Sequence, residues 1–289
     1  DAPRGWAGQM TPESAKRLNF VGAGITLVTV LIALLWAFPI YWGIVSSIKP
    51  EDEVVRPFIE LWPENPTLNH YWFALTKTKI GYWYVNSIVT ALGVTVLTVS
   101  TSMLAGYAIS QLRFPGRRPL YWLILASFMV PTQVLIINHF VLMADLGLLN
   151  TWAGIILPQL ISPVIIIVYK QFFDQVPKDF REAAVMDNAT EFGILLKVYM
   201  PMNWGVTTAL SIVTFIWAWN AFLWPFLAVT NTKMMTITVG ITQVNDAFGV
   251  YYARQLASAV MAGFPVALAY LLFQRRVTQA ITLSAGIKG

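Results

Sequence analysis

At 289 residues a soluble chain would form one or two domains, yet 57% of this one is hydrophobic, 11% is charged and the mean hydropathy is +0.62. The apolar runs are long enough to cross a bilayer, so the expected class is an all-α, polytopic membrane protein. The net charge of +5 sits at the ends of apolar runs rather than in one stripe, which reads as a topology signal and speaks against nucleic acid as partner; the lack of cysteine removes disulfides, thiolate chemistry and Cys-ligated metals.

Residues 1–18 are polar, with Lys16 and Arg17 just ahead of the first apolar run. That run is longer than a signal-peptide core, so no cleavable signal is expected. Residues 19–289 read as one transmembrane domain with six spans, at about 20–47, 85–112, 120–143, 151–169, 202–229 and 256–273. Pro39 is expected to interrupt the first span, Pro131 the third, and Pro158 and Pro163 fall in the fourth. Between the first two spans, Lys49 to Tyr82 reads as a mixed-charge loop with four prolines. Arg113 to Arg118 forms a basic turn around Pro115-Gly116, and Leu146 to Asn150 turns the chain again.

With both termini placed in the cytoplasm, thirteen Lys and Arg fall in inside segments and six in outside ones. That is the bias of the positive-inside rule. The mid-span prolines each remove a backbone hydrogen bond in hydrocarbon, where an unpaired group costs on the order of several kcal/mol. Two readings stay open: harmless kinks satisfied by neighbouring helices, or kinked helices lining a pathway that opens and closes.

Between the fourth and fifth spans lies a polar island, residues 177–201. Pro177 suits a helix's first turn, Asn188 tolerates the left-handed conformation that ends a helix, and Thr190 is a ready cap for a second one. Pro201 would stop that second helix or mark the start of the next span. Spacing alone gives two short helices joined at a bend outside the bilayer, which an ordinary amphipathic connector would also satisfy.

Catalytic sets are missing. The two histidines, His70 and His139, lack nearby carboxylates, so no metal site is expected, and there is no HExxH, G-x-S-x-G or G-x-x-x-x-G-K-[ST] sequence. The span interiors also lack Asp, Glu, Lys and Arg, which disfavours an ion-coupled secondary transporter. They carry instead Gln133, Asn138, Gln159, Trp217, Trp219, Asn220 and Trp224. Amides and aromatic faces suit a neutral, hydroxyl-rich solute; equally, the amides serve interhelical hydrogen bonds and the Trp residues packing.

The stretch Arg181–Met202, REAAVMDNATEFGILLKVYMPM, resembles the signature loop of ABC-importer permeases, in which Glu-Ala-Ala, then Asp-Gly-Ala, then Leu-Pro recur. Glu182, Ala183, Ala184, Asp187, Ala189 and Pro201 match; Asn188 stands where that family has Gly, and Met200 where it has Leu. The span TFIWAWNAFLWPFLAV is similar to the Trp-Asn-containing span of carbohydrate-importer permeases and Met234 to Ile241 to the outer loop after it, and the tail TQAITLSAGIKG resembles the ending of the smaller, six-span permease of maltose-type sugar importers. The resemblance implies a type I ABC importer permease fold in a bacterial inner membrane, with residues 177–201 as a cytoplasmic coupling loop. It implies as partners a second homologous permease, two ATPase subunits holding ATP and Mg, an extracytoplasmic solute-binding protein and a carbohydrate. No cofactor would be bound by this chain. Residues Asn231 to Arg254 would reach into the binding protein, and Ser284 to Gly289 would touch the ATPase. A permease for a polyol, a glycerol-phosphate compound or a sulfonated sugar is the alternative.

Overall fold

The computed structural model describes residues 12–58, 60–244 and 249–284. Among them the regular structure is entirely helical. In chain order the α-helices are α1 (Pro12–Ser47), α2 (Glu51–Val54), α3 (Asn69–Lys77), α4 (Ile80–Gln111), α5 (Arg117–Phe128), α6 (Ile136–Asp145), α7 (Trp152–Ile156) and α8 (Pro163–Asp174). They continue as α9 (Lys178–Met186), α10 (Glu191–Ile194), α11 (Met200–Met202), α12 (Trp204–Asn220), α13 (Leu223–Ala228), α14 (Ile237–Gly240) and α15 (Tyr252–Ser284). Residues 22–47, 80–111 and 252–272 are each long and apolar enough to cross a membrane unaided. Two bent pairs, α5 with residues 132–145 (93°) and residues 152–159 with α8 (53°), bring the number to five. The remaining expected span, 202–229, holds α12, whose 17 residues lie at the short end of what a bilayer needs, and α13 beyond a break at Ala221–Phe222.

α4 is the spine. It packs against α8 and α12 along its length, and its buried face is a run of small or hydroxyl-bearing residues: Ser87, Thr90, Ala91, Thr95, Thr98, Ser102 and Gly106. Small residues let helix backbones approach closely where no hydrophobic gain separates helix from lipid. At Gly106 an added Cβ would stand 2.7 Å from the Cβ of Tyr169. Two apolar cores form at the two ends of the spine. One gathers Trp83, Ile155, Trp219 and Ile237; the other gathers Tyr107, Tyr169, Phe173, Leu195 and Tyr199, beside the segment 177–201.

The prolines follow one rule. In a helix the carbonyl four residues before a proline loses its N–H partner, as at Pro158 and Pro265, while Pro163 and Pro225 stand in the first turns of α8 and α13 after a break; at all four a side chain from elsewhere in the bundle donates to that carbonyl. For Pro158, Trp224 Nε1 donates to Gly154 O at 3.2 Å; for Pro163, Thr98 Oγ1 donates to Gln159 O at 2.9 Å. For Pro225, Thr238 Oγ1 donates to Ala221 O at 2.8 Å; for Pro265, Tyr84 OH donates to Met261 O at 2.6 Å. The reading in which neighbouring helices satisfy the kinks therefore holds at these four sites. Pro39 departs from expectation: α1 runs through it without a break, exposed from residue 22 to residue 41, and α15 carries Pro265 inside one continuous helix.

The segment after α13 also differs from expectation. Rather than projecting as a loop over Asn231–Arg254, it folds back into the bundle, and Met235, Thr236, Ile237, Val239 and Gly240 are buried. Its irregular backbone is satisfied by α4: Trp83 Nε1 donates to Thr232 O (2.7 Å), Asn86 Nδ2 to Lys233 O (2.8 Å) and Met235 O (3.0 Å), and Ser87 Oγ accepts from Ile237 N (2.7 Å). Gly240 lies so close to the Trp83 ring that a Cβ would fall 2.1 Å from it. Non-helical backbone survives at membrane depth only when buried in protein this way.

Residues 49–82, expected as a polar loop, instead form a folded cap containing α2, α3 and the start of α4. Lys49 and Glu53 are buried there because both are paired. Lys49 Nζ donates to Glu60 O at 2.7 Å, and Glu53 accepts from the backbone of Glu64 and Asn65 at 3.1 Å. The Glu51 carboxylate accepts from Tyr252 N and Ala253 N, closing the first turn of α15, where a negative charge is favoured.

Replacing Tyr84 by Phe, or Thr98 by Val, should leave one buried carbonyl unfilled with little change of shape. Each is expected to lower stability by about 1–3 kcal/mol, measured by denaturant unfolding of the purified protein in mild detergent. Replacing Tyr270, exposed on α15, by Phe should have no measurable effect.

Candidate functional site

Segment 177–201 forms an elbow at one end of the bundle. Pro177 precedes α9, and α9 ends in a Schellman motif: Ala189 N donates to Ala184 O and Asn188 N to Val185 O, both at 3.0 Å. Asn188 takes the left-handed position at φ 55°, the conformation for which it and Gly are the suitable residues. Thr190 then caps α10, its Oγ1 accepting from Gly193 N at 3.1 Å. Of the two sequence readings of Pro201, the helix stop is not realised, whereas the proline does lie just ahead of α12, at the entry to the next expected span. A π-helical stretch, Leu195–Tyr199, precedes α11, and the chain carries Pro201 through to Asn203.

The elbow presents Glu182, Ala183, Asp187, Asn188 and Ala189 to solvent, while Ala184 is half-buried against the nearby core. Sequence reasoning missed the apolar side chains beside them: Phe180, Met186 and Phe192 are exposed, Met186 to 82%. Large apolar groups left open next to small residues mark a surface shaped for contact.

The base of the elbow is tied to the end of α4. Arg181 is ion-paired with Glu191 across the bend, and Glu191 Oε2 accepts from Tyr107 OH at 2.6 Å. Burial works against the Arg181 charge, but Glu191 and the Tyr107 hydroxyl outweigh it and hold the guanidinium more firmly protonated than usual. Tyr199 OH donates to Gln111 Oε1 at 2.8 Å, and Ser110 Oγ to Asp174 Oδ1 at 2.5 Å. The rings of Tyr107, Phe173 and Tyr199 pack edge to face, with Tyr107 and Tyr199 centroids 5.2 Å apart. Arg181 and Glu191 are ten positions apart on different helices, so only the bend brings them together and no periodicity could have paired them.

The seven pathway candidates separate into two groups. Trp219 is buried, donates through Nε1 to Ala262 O at 3.2 Å and stacks near Phe215 and Tyr84. Trp224 serves the Pro158 kink and packs edge-on to His139. Gln159 is half-buried and donates to Ile155 O at 2.7 Å in its own turn. Gln133, Asn138, Trp217 and Asn220 are exposed, Trp217 to 74%, and Asn220 bonds back to Ile216 O at 2.8 Å. No hydrogen bond joins these amides to one another among the described residues. Nor does any group of three His, Asp or Glu there have metal-binding geometry. Residues 285–289 of the tail lie outside the described residues.

The described residues thus form a helical bundle with kinked spans and a surface elbow rooted on its longest buried helix. Residues 99–279 match the family described as binding-protein-dependent transport system inner membrane component, and the chain belongs to that family. Among curated relatives, the arabinooligosaccharides transport system permease protein AraQ of Bacillus subtilis (strain 168) is 32% identical over 92% of this chain and 95% of its own length. The sulfoquinovosyl glycerol permease SmoH of Agrobacterium fabrum is 34% identical over 96% and 95%, and the sn-glycerol-3-phosphate permease UgpE of Brucella abortus (strain 2308) 30% over 89% and 93%. The fold matches a chain from a crystal structure of a bacterial ABC transporter involved in import of the acidic polysaccharide alginate, with a TM-score of 0.78 over 95% of this chain and 99% of that one, at 23% identity. The chain is an ABC importer permease of the type I fold.

The left-handed position makes a local prediction. Asn188→Gly should keep the elbow intact, whereas Asn188→Val should cost about 1–2 kcal/mol. Faster amide hydrogen exchange confined to residues 184–193 in the Val variant would report it.

Proposed function

We propose that this chain is the translocating subunit through which a separate ATPase drives import of a sugar or sugar derivative. The observation that carries the reading is the elbow: an exposed surface of small, acidic and apolar residues whose base is fixed to the spine of the bundle. Glu182, Ala183, Ala184, Asp187, Asn188, Ala189 and Pro201 would form the part that seats in the ATPase. Small alanines allow close approach, Glu182 and Asp187 answer basic groups, and Phe180 and Met186 fill an apolar recess. The chain supplies no phosphate-cradling loop, so ATP and Mg would be held by two ATPase subunits. A second homologous permease would complete the pathway, and an extracytoplasmic binding protein would deliver the solute. Both termini and the elbow would face the cytoplasm, in accord with the basic-residue bias.

Closure of the ATPase pair would draw two elbows together. Because Arg181, Glu191, Tyr107, Tyr199 and Gln111 bind elbow to spine, that displacement passes to α4 and its neighbours as a rigid-body movement. The domain would then comprise residues 19–289 after a cytoplasmic segment 1–18. Asn231–Thr232 and residues 242–243 and 249–252 remain at the surface for the binding protein, while the buried stretch between them holds the bundle together.

Curated relatives named for an arabinooligosaccharide and a sulfoquinovosyl glycerol support a hydroxyl-rich solute. Trp217 and Asn220, exposed near the end of α12, with Gln133 and Asn138, would meet it in a pathway shared with the second permease. The second reading, an anionic solute, is favoured by the relative named for glycerol 3-phosphate. This chain offers no base within α4 or α12 to pair with such a charge.

Glu182→Lys should leave insertion intact and weaken ATPase association roughly 100-fold, as a reversed charge at an interface does. Unchanged co-purification of the ATPase and unchanged uptake would refute the docking assignment. Trp217→Ala with Asn220→Ala should lower uptake or alter its specificity without loss of assembly. Wild-type transport kinetics would remove both from the pathway.

A further inference from the structure

The turn between α4 and α5 concentrates positive charge that the transport reading does not use. Arg113, Arg117 and Arg118 flank Pro115-Gly116, and Lys170 of α8 faces the same corner. Two adjoining cavities of about 390 and 450 Å³ are lined by these four cations together with Tyr121 and Trp122. Among the described residues the one carboxylate bonded to this group, Asp174, is shared between Lys170 Nζ at 2.5 Å and Ser110 Oγ at 2.5 Å. Arg117 is spent in part on the end of α4, donating to Ser110 O at 2.8 Å and Leu112 O at 3.1 Å. Arg113 and Arg118 are exposed and make no ion pair among the described residues.

This arrangement opposes itself as it stands. Arg117 and Arg118 are the first two residues of α5, where the helix dipole is already positive and a cation is unfavourable. Bound phosphate would reverse that conflict, since its charge offsets the guanidinium groups and suits the positive end of the helix. The walls show where such a phosphate would come from. Tyr121 lies under Lys170, 4.9 Å from ring centroid to Nζ, and Trp122 is 68% exposed beside it, the pairing of aromatic and basic residues found at a membrane interface. From the cavities an apolar track continues along α5 through Leu120 and Leu123, both exposed, and α5 buries none of its residues in this chain. A soluble anion has no use for that track; an acyl chain does.

We propose that the α4–α5 corner is a binding site for the phosphate headgroup of an anionic phospholipid, with its acyl chain laid along α5. The corner stands at the elbow end of the bundle, because α8 passes from Lys170 through Asp174 directly into α9. The assignment therefore rests on the elbow facing the cytoplasm, the leaflet side on which basic pockets between helices take anionic headgroups.

The test uses the intact transporter complex reconstituted in nanodiscs of phosphatidylcholine with phosphatidylglycerol, and counts retained lipids by native mass spectrometry after release. Wild-type complex should retain phosphatidylglycerol over phosphatidylcholine. Arg113→Gln with Arg118→Gln, both exposed, should reduce that preference by roughly ten- to thirty-fold, the factor two surface charges supply, while Arg56→Gln at the opposite end should not. Equal retention in the double variant would overturn the proposal. So would displacement of the lipid by inorganic phosphate, which would make this a soluble-anion site, or loss of ATPase from the double variant, which would make it a protein contact. Lipid retention is read without transport, whereas the cytoplasmic placement of the elbow is read from ATPase binding by Glu182→Lys, so either reading fails separately.

Discussion

The structure depends on one constraint: a carbonyl in hydrocarbon must find a donor, because no water is there to supply one. A proline inside a helix opens such a vacancy four residues back, and so does a break just ahead of one. Trp224, Thr98, Thr238 and Tyr84 fill four of them from neighbouring elements, and in doing so specify which helix lies beside which. The same logic, applied to an irregular segment instead of a kink, places Trp83, Asn86 and Ser87 on α4 opposite residues 232–237. Bent spans and a folded-back segment thus become sources of interhelical order.

The two ends of α4 have different tasks. At the end away from the elbow it anchors buried, non-helical backbone, and at the other it carries Tyr107, Ser110 and Gln111 into the polar joints beneath the elbow. Between them its hydroxyl and glycine face lets α8 and α12 come close. A helix bonded at both ends and closely packed between them is well suited to move as a unit, since rigid packing passes displacement on instead of absorbing it.

Much of this was legible in the sequence where chemistry is local. Asn188 and Thr190 announce a bend and a cap by their own side-chain preferences, and the elbow forms as those preferences dictate. Proline positions showed where several spans would break, but Pro39 and Pro265 sit inside helices that run on unbroken. What local rules could not reach were pairings across the bundle. Trp219 and Trp224 look like pathway residues by composition and are donors to distant carbonyls. Lys49 and Glu53 look like surface charges and are buried, because the partners that satisfy them, Glu60, Glu64 and Asn65, come from a stretch with no periodic signal. The segment 231–244 lacked any pattern that tells a projecting loop from a folded-back one.

The Glu51 carboxylate has a further consequence for how the protein is made. Its partners, the first amides of α15, are synthesised 201 residues later. A chain threaded into lipid span by span therefore leaves this joint open until α15 is made, and α2 stays unanchored on that side for as long.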